Sequence, residues 1–213
     1  SIILNDKQLS EEKYMTMVTD HLKITSYKFL LDSDYFSDNL AKATWHFEAP
    51  LEHTSNVALF MLAQHAKKYV TVLLSGEGSD EIFGGYNRYS DIRYPFKSKK
   101  LLHEIKKSLR HPTDLIKYLS DANRAVMATA YLSPWTAASL YPKFSETSAT
   151  RKRLLLYKSL TGSIFDRQVK YELKTYLPDL LLCQDKMSMA HSIENRVPFV
   201  DNEVLDHSFT IPE

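Results

Sequence analysis

The chain has 213 residues, of which 44% are hydrophobic and 25% are charged. This composition is typical of a folded globular protein and excludes a disordered or fibrous chain. With 27 basic against 26 acidic residues the formal charge is +1, so no overall field favours nucleic acid or an anionic membrane. The single cysteine, Cys183, cannot form an intramolecular disulfide, and no paired zinc-ligand spacing occurs. Together these features predict a reducing, cytoplasmic location.

Apolar runs in the sequence are short. Residues 70–74 form one of the purest of them, far below the roughly 20 residues that a membrane helix needs. Polar residues at positions 5–7 stand where a signal peptide would be apolar. We therefore predict neither a membrane span nor export.

Strands alternate with helices in the first half of the sequence. An apolar start at residues 1–4 precedes a helix that opens at Ser10 and carries an apolar face, formed by Tyr14, Met17, Val18 and Leu22. Alternating apolar residues at 27–31 indicate a strand. Helices are predicted from Ser33 or Asp34 to residue 46 and from an Asn56 cap to residue 68, followed by a strand at 70–74. This order predicts an α/β fold with a parallel sheet and flanking helices, and the apolar last strand predicts cover on both faces.

Beyond Gly85 only helical patterns remain, notably at residues 101–109 and 151–176, with breaks at Pro112 and Pro134. We therefore expect an α/β nucleotide-binding part at residues 1–95 and a mostly helical C-terminal half at residues 96–213. The basic stretch at 97–111 is interpreted as the solvated face of a helix, with binding to a membrane surface as the alternative.

The segment at residues 73–86 reads LLSGEGSDEIFGGY and holds all but one of the five glycines of the chain. It follows a predicted strand, and ligands of open parallel sheets bind beyond the carboxyl ends of the strands. A dinucleotide turn or a Walker loop does not fit, because Glu81 replaces the third glycine and no Gly-Lys-Ser/Thr follows. Carboxylates at Glu77, Asp80 and Glu81 would repel a bare pyrophosphate but suit a magnesium ion that bridges to one.

Residue types alone favour a simpler interpretation of this loop, in which it is a solvated turn and Asp80 caps the next helix. The wider sequence favours the functional interpretation. The whole segment resembles the nucleotide-site signature of the asparagine synthetase family, whose members activate a carboxylate as an acyl-adenylate. Three later strings resemble the second signature of that family, in order and spacing: LPDLLL at 177–182, DKMSMAH at 185–191 and ENRVPFVD at 194–201.

The resemblance begins near residue 1, extends at least to residue 201, and includes the string FEAP at 47–50, similar to an acidic-plus-proline turn of the family. It implies an ATP-pyrophosphatase or adenine nucleotide α-hydrolase-like fold, with ATP and Mg²⁺ as cofactors. Ser75 and Gly76 would contact AMP, and Asp80 would hold magnesium on the pyrophosphate. Glu77 would orient ammonia near the aspartyl group and accept its proton. Glu81 is expected behind these residues, in the substrate-binding group.

The second signature supplies three further candidates for the acyl-substrate pocket, Asp185, Glu194 and Arg196. A buried arginine–carboxylate pair that ties two helices together is the alternative, and it is favoured for Glu194 and Arg196. Cys183 has no histidine close to it in sequence, so we expect a buried, inert thiol.

The family resemblance implies a parent enzyme that converts aspartate to asparagine through β-aspartyl-AMP, with ammonia supplied from glutamine by a glutaminase domain. The Ser-Gly-Gly-x-Asp-Ser pyrophosphate loop of the family is absent from the 213 residues, and residue 1 is serine rather than a glutaminase cysteine. We therefore expect a piece of a longer synthetase, inactive alone, whose exposed sheet edge favours aggregation or a homodimer.

Two other functions remain open. Related enzymes form amides or close β-lactam rings in peptide and antibiotic biosynthesis, although Glu77 favours the branch that uses ammonia. The third hypothesis is a non-catalytic binding module that has lost its phosphate loop.

Overall fold

The computed structural model describes residues 1–4, 10, 12–93, 120–130 and 149–212. Short parallel sheets combine with many helices, so the predicted α/β class is confirmed. The chain divides into two compact units, Ser1–Ser75 with Leu180–Val197 and Gly76–Asp179 with Pro198–Glu213. Across the described ranges, no helix combines the length and the apolar character that crossing a bilayer requires.

The α-helices of the described residues are numbered in chain order: α1 (Glu12–Leu22), α2 (Ser33–Phe47), α3 (Ser55–Ala66), α4 (Ser79–Phe83), α5 (Asn87–Arg93), α6 (Asp121–Ala128), α7 (Ala149–Ser159), α8 (Ile164–Thr175), α9 (Leu177–Met189) and α10 (Asn202–Ser208). A 3₁₀ turn at Pro198–Val200 precedes α10. The helices predicted at 33–46 and within 151–176 are confirmed. The predicted helix at 101–109, the basic stretch at 97–111 and the breaks at Pro112 and Pro134 lie outside the described residues.

Among the described residues of the first unit, four short strands form two parallel pairs. β1 (Ile2–Leu4) pairs with β2 (Phe29–Leu31), and β3 (Val72–Leu74) pairs with β4 (Glu194–Arg196). The sequence predicts β1, β2 and β3, but β4 lies in the half for which only helices are predicted. Its Glu-Asn-Arg side chains give no apolar alternation, so only backbone pairing with β3 defines it as a strand.

Two apolar surfaces of the first unit are more open than the sequence predicts. Val72 and Leu74 of β3 are 39% and 71% exposed. They point to the same face, because successive side chains of a strand alternate. The prediction of a strand covered on both faces is therefore wrong for the described residues. The apolar face of α1 is exposed as well, with Tyr14 and Met17 at 67% and 59%.

The core of the first unit lies between α2, α3 and the part of α9 that starts at Leu180. Its buried residues are Ala43, Phe47, Val57, Phe60, Cys183 and Met187. Thr54, not Asn56, occupies the N-cap position of α3, so the predicted cap is wrong. Asn56 is instead buried, and its amide lies 3.6 Å from the Cys183 sulfur as a donor. The predicted burial of Cys183 is confirmed.

The second unit is helical in its described part. Buried residues from α5, α6, α7 and α8 form its core, namely Ile92, Ala122, Ala125, Val126, Tyr157 and Tyr171. The predicted helical run at 151–176 is interrupted by Gly162, whose φ is 116°. Ser163 and Asp166 then form a reciprocal capping box that starts α8.

Two glycines define the ends of α4. Gly78 precedes the helix with φ 91°, and Gly84 follows it with φ 68°, a left-handed region that favours glycine. A Cβ on Gly84 would lie 2.5 Å from Cε2 of Phe165, and one on Gly78 would lie 2.5 Å from Cγ2 of Val200. The five-residue helix therefore lies between two turns that have no space for a side chain at Gly78 or Gly84.

We expect Gly84→Ala to lower the free energy of unfolding by at least about 1–2 kcal/mol, the backbone cost of the left-handed region. The contact with Phe165 adds to this loss. Gly76→Ala is the matched control: no atom lies within 4 Å of the added Cβ, so a change below about 0.5 kcal/mol is expected. Chemical denaturation of both variants measures the difference, and equal stabilities would contradict the expectation.

Candidate functional site

The loop at residues 75–78 continues directly from the β3–β4 pair. The Ser75 amide donates to the Arg196 carbonyl at 3.0 Å, one residue beyond the end of β3. Ser75 is half-buried and Gly76 is exposed. Because no atom stands near the position of a Gly76 Cβ, the backbone at this residue is open to close approach by a ligand.

Asp80 and Glu81 are successive residues in the first turn of α4, but their environments are opposite. Asp80 is exposed, whereas Glu81 is 1% exposed. Because successive residues of a helix point about 100° apart, one carboxylate points outwards and the other points into the second unit. Glu77, in the preceding turn, is half-buried.

The Asp80 carboxylate lies against Gly85. A Cβ on Gly85 would be 1.9 Å from Oδ1 of Asp80, and the Gly85 amide donates to the Asp80 carbonyl at 2.9 Å. Among the described residues, the Asp80 side chain makes no hydrogen bond or ion pair. An exposed carboxylate with free oxygens fits a magnesium ion, which prefers hard oxygen ligands and keeps several waters or phosphate oxygens.

Glu81 is bound inside the second unit. The Tyr86 hydroxyl donates to its Oε1 at 2.7 Å. Burial, followed by the hydrogen bond to Glu81, raises the pKa of Tyr86 well above its usual value, so the phenol remains a donor. The buried carboxylate is therefore held by a neutral partner five residues further along the chain.

In the first unit, the three candidate substrate-binding residues of the second signature lie at the surface. Asp185 of α9 is exposed. Arg196 Nε donates to Glu194 Oε1 at 2.8 Å within β4, with side chains 62% and 57% exposed. The two residues are therefore paired, but the alternative of a buried pair between two helices is wrong. The pair forms on one strand because residues two apart point to the same face.

Lys186 belongs to the same region, although the sequence predicts no role for it. Its Nζ donates to the Phe47 carbonyl at 3.1 Å and forms an ion pair with Glu48. Hydrogen bonding and the charge of Lys186 lower the pKa of Glu48. The contact joins the FEAP turn after α2 to the DKMSMAH string of α9. In the sequence, the only indication of a role for Lys186 is its charge next to Asp185.

A buried ionic network in the second unit is also absent from the sequence predictions. Glu172 of α8 is fully buried, and Arg88 of α5 binds it through Nε at 2.8 Å and Nη2 at 2.6 Å. The Gln168 amide donates to Glu172 at 2.5 Å, and the Tyr89 hydroxyl lies 3.0 Å from it. Because Arg88 and Glu172 are 84 residues apart in the sequence, local patterns do not predict this pair.

The fold and the loop define an α/β protein with an acidic, glycine-bounded helix at the end of a parallel strand. The chain belongs to the asparagine synthase family, whose family model matches residues 1–213. The resemblance found in the sequence is thereby confirmed.

Individual relatives agree with this assignment. Asparagine synthetase 1 (glutamine-hydrolyzing) of Bacillus subtilis strain 168 is 31% identical over 90% of this chain and 33% of its own length. Asparagine synthetase 3 (glutamine-hydrolyzing) of the same strain is 27% identical over 93% of this chain and 30% of its own length. Amidase chyE of Penicillium rubens is 22% identical, over 97% of this chain and 36% of its own. The chain thus spans about a third of the length of these curated relatives.

We expect Tyr86→Phe to destabilise the protein by about 1–3 kcal/mol, because the buried Glu81 carboxylate loses a hydrogen-bond donor while the ring is retained. Tyr35→Phe is the matched control, since the Tyr35 hydroxyl donates to Gln64 at 2.6 Å in an exposed pair and a loss below about 1 kcal/mol is expected. Urea unfolding checks both. Similar losses for the two variants would show that Glu81 does not depend on Tyr86.

Proposed function

We propose that the protein is an ATP-dependent amide ligase that converts aspartate to asparagine through β-aspartyl-AMP, with ammonia derived from glutamine. The observation that carries this proposal is the Asp80 carboxylate, exposed and unpaired among the described residues, on the helix that follows β3. In a member of the asparagine synthase family, a free oxygen ligand at this position supports metal-assisted nucleotide chemistry.

The nucleotide lies against Ser75 and Gly76 in this proposal. The Ser75 hydroxyl and the Gly76 backbone contact AMP, and the open space at Gly76 supports a close approach. The surrounding fold is then of the ATP-pyrophosphatase or adenine nucleotide α-hydrolase-like type, with residues 1–95 as its nucleotide-binding part and residues 96–213 as its helical part.

Asp80 holds a magnesium ion that, when bound, neutralises the charge that develops on the departing pyrophosphate. Its position against Gly85 limits the directions in which the carboxylate can point. The aspartate side-chain carboxylate attacks the α-phosphorus of ATP, and pyrophosphate leaves as the acyl-adenylate forms.

Glu77 acts in the second half of the reaction. Ammonia attacks the acyl carbon, AMP leaves, and Glu77 orients the amine and accepts the proton that the nitrogen loses. Asp185, Glu194 and Arg196 bind the aspartate, and the exposure of all three side chains supports contact with a soluble substrate. Glu81, which is buried and bound by Tyr86, supports Asp80 from behind and does not touch the aspartate.

The partners of the reaction are proposals of the same kind. A glutaminase domain of the same protein supplies ammonia, the protein is cytoplasmic, and a homodimer is compatible with the open face of β3. Because no Ser-Gly-Gly-x-Asp-Ser string occurs within the 213 residues, we expect this segment alone to be inactive.

We expect the protein expressed from the complete reading frame to catalyse aspartate-dependent exchange of labelled pyrophosphate into ATP. Asp80→Asn should lower the exchange rate by about 100-fold or more, because a neutral amide stabilises the developing phosphate charge poorly. Asp34→Asn is the matched control, since Asp34 is also an exposed acid in the first turn of a helix. Its rate should stay within about twofold of the parent.

Three results would contradict the proposal in different ways. Exchange that survives Asp80→Asn would remove the metal role of Asp80. Exchange that requires a carboxylate other than aspartate would favour a related amide-forming enzyme. Robust exchange by residues 1–213 alone would refute the expected inactivity of the segment.

A further inference from the structure

Arg88 is fixed on several sides at once within the second unit. Its guanidinium binds both oxygens of Glu172, while its Cζ lies 3.7 Å from the ring centroid of Tyr86 and 4.5 Å from that of Tyr176. A planar guanidinium supports stacking and a bidentate ion pair together, which an ammonium group does not. The orientation of Tyr86 is therefore tied to the Arg88–Glu172 pair.

Among the described residues, two paths of hydrogen bonds and ring contacts lead from Glu172 to α4. In the first, the Tyr86 ring stacks on Arg88 and its hydroxyl binds the Glu81 carboxylate. In the second, the Tyr89 hydroxyl lies 3.0 Å from Glu172 Oε2 and 3.1 Å from the Glu81 carbonyl oxygen. Both the side chain and the backbone of Glu81 are thus connected to α8.

Glu81 in turn determines where Asp80 lies. The two residues are adjacent in α4, and the Gly85 amide binds the Asp80 carbonyl immediately before Tyr86. The Asp80 carboxylate also lies beside Gly85, where a Cβ would stand, so a shift of residue 85 towards it would push it aside. A displacement of residues 85–89 would consequently displace the carboxylate.

Burial makes this network a poor source of stability. The Glu172 side chain is 0% exposed and that of Arg88 is 18% exposed, so desolvation offsets much of the attraction between them. Well-packed apolar residues often replace such pairs without loss of stability. The feature that apolar residues would not reproduce is the directional hold on Tyr86 and Tyr89.

We propose that Arg88 and Glu172 are positioning residues that fix the Asp80 carboxylate through Tyr86, Tyr89 and Glu81. The catalytic consequence rests on the function proposed above, whereas the structural consequence does not. Without the pair, Asp80 is still present, but its carboxylate is free to move. The affinity for Mg²⁺·ATP and the rate of adenylation should then fall while the fold persists.

The test variants are Arg88→Met with Glu172→Leu, which removes both charges and keeps apolar volume, and the milder Glu172→Gln and Arg88→Lys. In the complete gene product, we expect the double variant to stay folded but to unfold at a lower temperature than the parent, because the Gln168 amide and the Tyr89 hydroxyl lose their acceptor. Its exchange rate should fall about tenfold or more, and its half-saturating Mg²⁺ concentration should rise by a similar factor. Arg88→Lys keeps the charge but loses the forked guanidinium group. The exchange rate and the half-saturating Mg²⁺ concentration of this variant should therefore not match those of the parent.

The matched control is the other ion pair that reaches α8 in the described residues, Arg167 with Asp121 at 2.6 Å. Arg167→Met with Asp121→Leu removes a pair between α8 and α6 that makes no contact with Tyr86 or Glu81. We expect exchange and Mg²⁺ dependence within about twofold of the parent. Equal effects of the two double variants would overturn the positioning role.

Hydrogen exchange separates this proposal from the proposed function. The Ile82 amide donates to the Gly78 carbonyl and the Gly85 amide to the Asp80 carbonyl, and both should exchange about tenfold faster in the Arg88 and Glu172 variants. If the parent catalyses no adenylation, the function fails but this measurement still decides the role. Unchanged protection in folded Glu172→Gln would overturn the proposal even if the double variant fails to fold.

Discussion

The position of the acidic residues depends on the backbone at Gly78 and Gly84. Both residues adopt positive φ, and neither position has space for a side chain. Since α4 has only five residues, it cannot be stable through its own backbone hydrogen bonds. It exists because the turns at its ends and the contacts of Glu81 hold it. The direction of the Asp80 side chain follows from that arrangement.

The two units are stabilised in different ways. The first unit packs aliphatic, aromatic and sulfur-containing side chains from α2, α3 and α9. The second unit has an apolar core too, but its described part also encloses the carboxylates of Glu81 and Glu172. Buried carboxylates require donors with defined geometry, which Tyr86 and Arg88 supply. The buried polar groups therefore fix the orientation of side chains, whereas the apolar core contributes the free energy of burial.

Much of the fold follows from local patterns in the sequence. Apolar spacing predicts α2, and the burial of Cys183 is predicted because no histidine lies close to it in the sequence. The loop at 73–86 and its acids are recognised from their glycines and carboxylates. Local pattern analysis fails where partners are distant: β4 has no apolar alternation, and Arg88 meets Glu172 only after the chain has folded.

The same reason explains the errors at individual residues. Asn56 has the chemistry of a helix cap, but the folded chain uses it inside α3 as a buried donor to Cys183. Glu194 and Arg196 are paired as expected, yet their placement on one short strand keeps them at the surface. Residue type predicts which interactions are possible, and tertiary packing decides which of them form.

The contact between Gly85 and Asp80 also constrains how this sequence can change over evolution. A side chain at position 85 would occupy the space of the Asp80 carboxylate, so a larger residue there would force Asp80 into another rotamer or favour a different residue at position 80. We expect the two positions to change together, because a lineage that keeps the acid in this direction needs the glycine, whereas one that loses the acid does not. Pairwise co-variation between positions 80 and 85 is therefore the evolutionary trace that this geometry leaves.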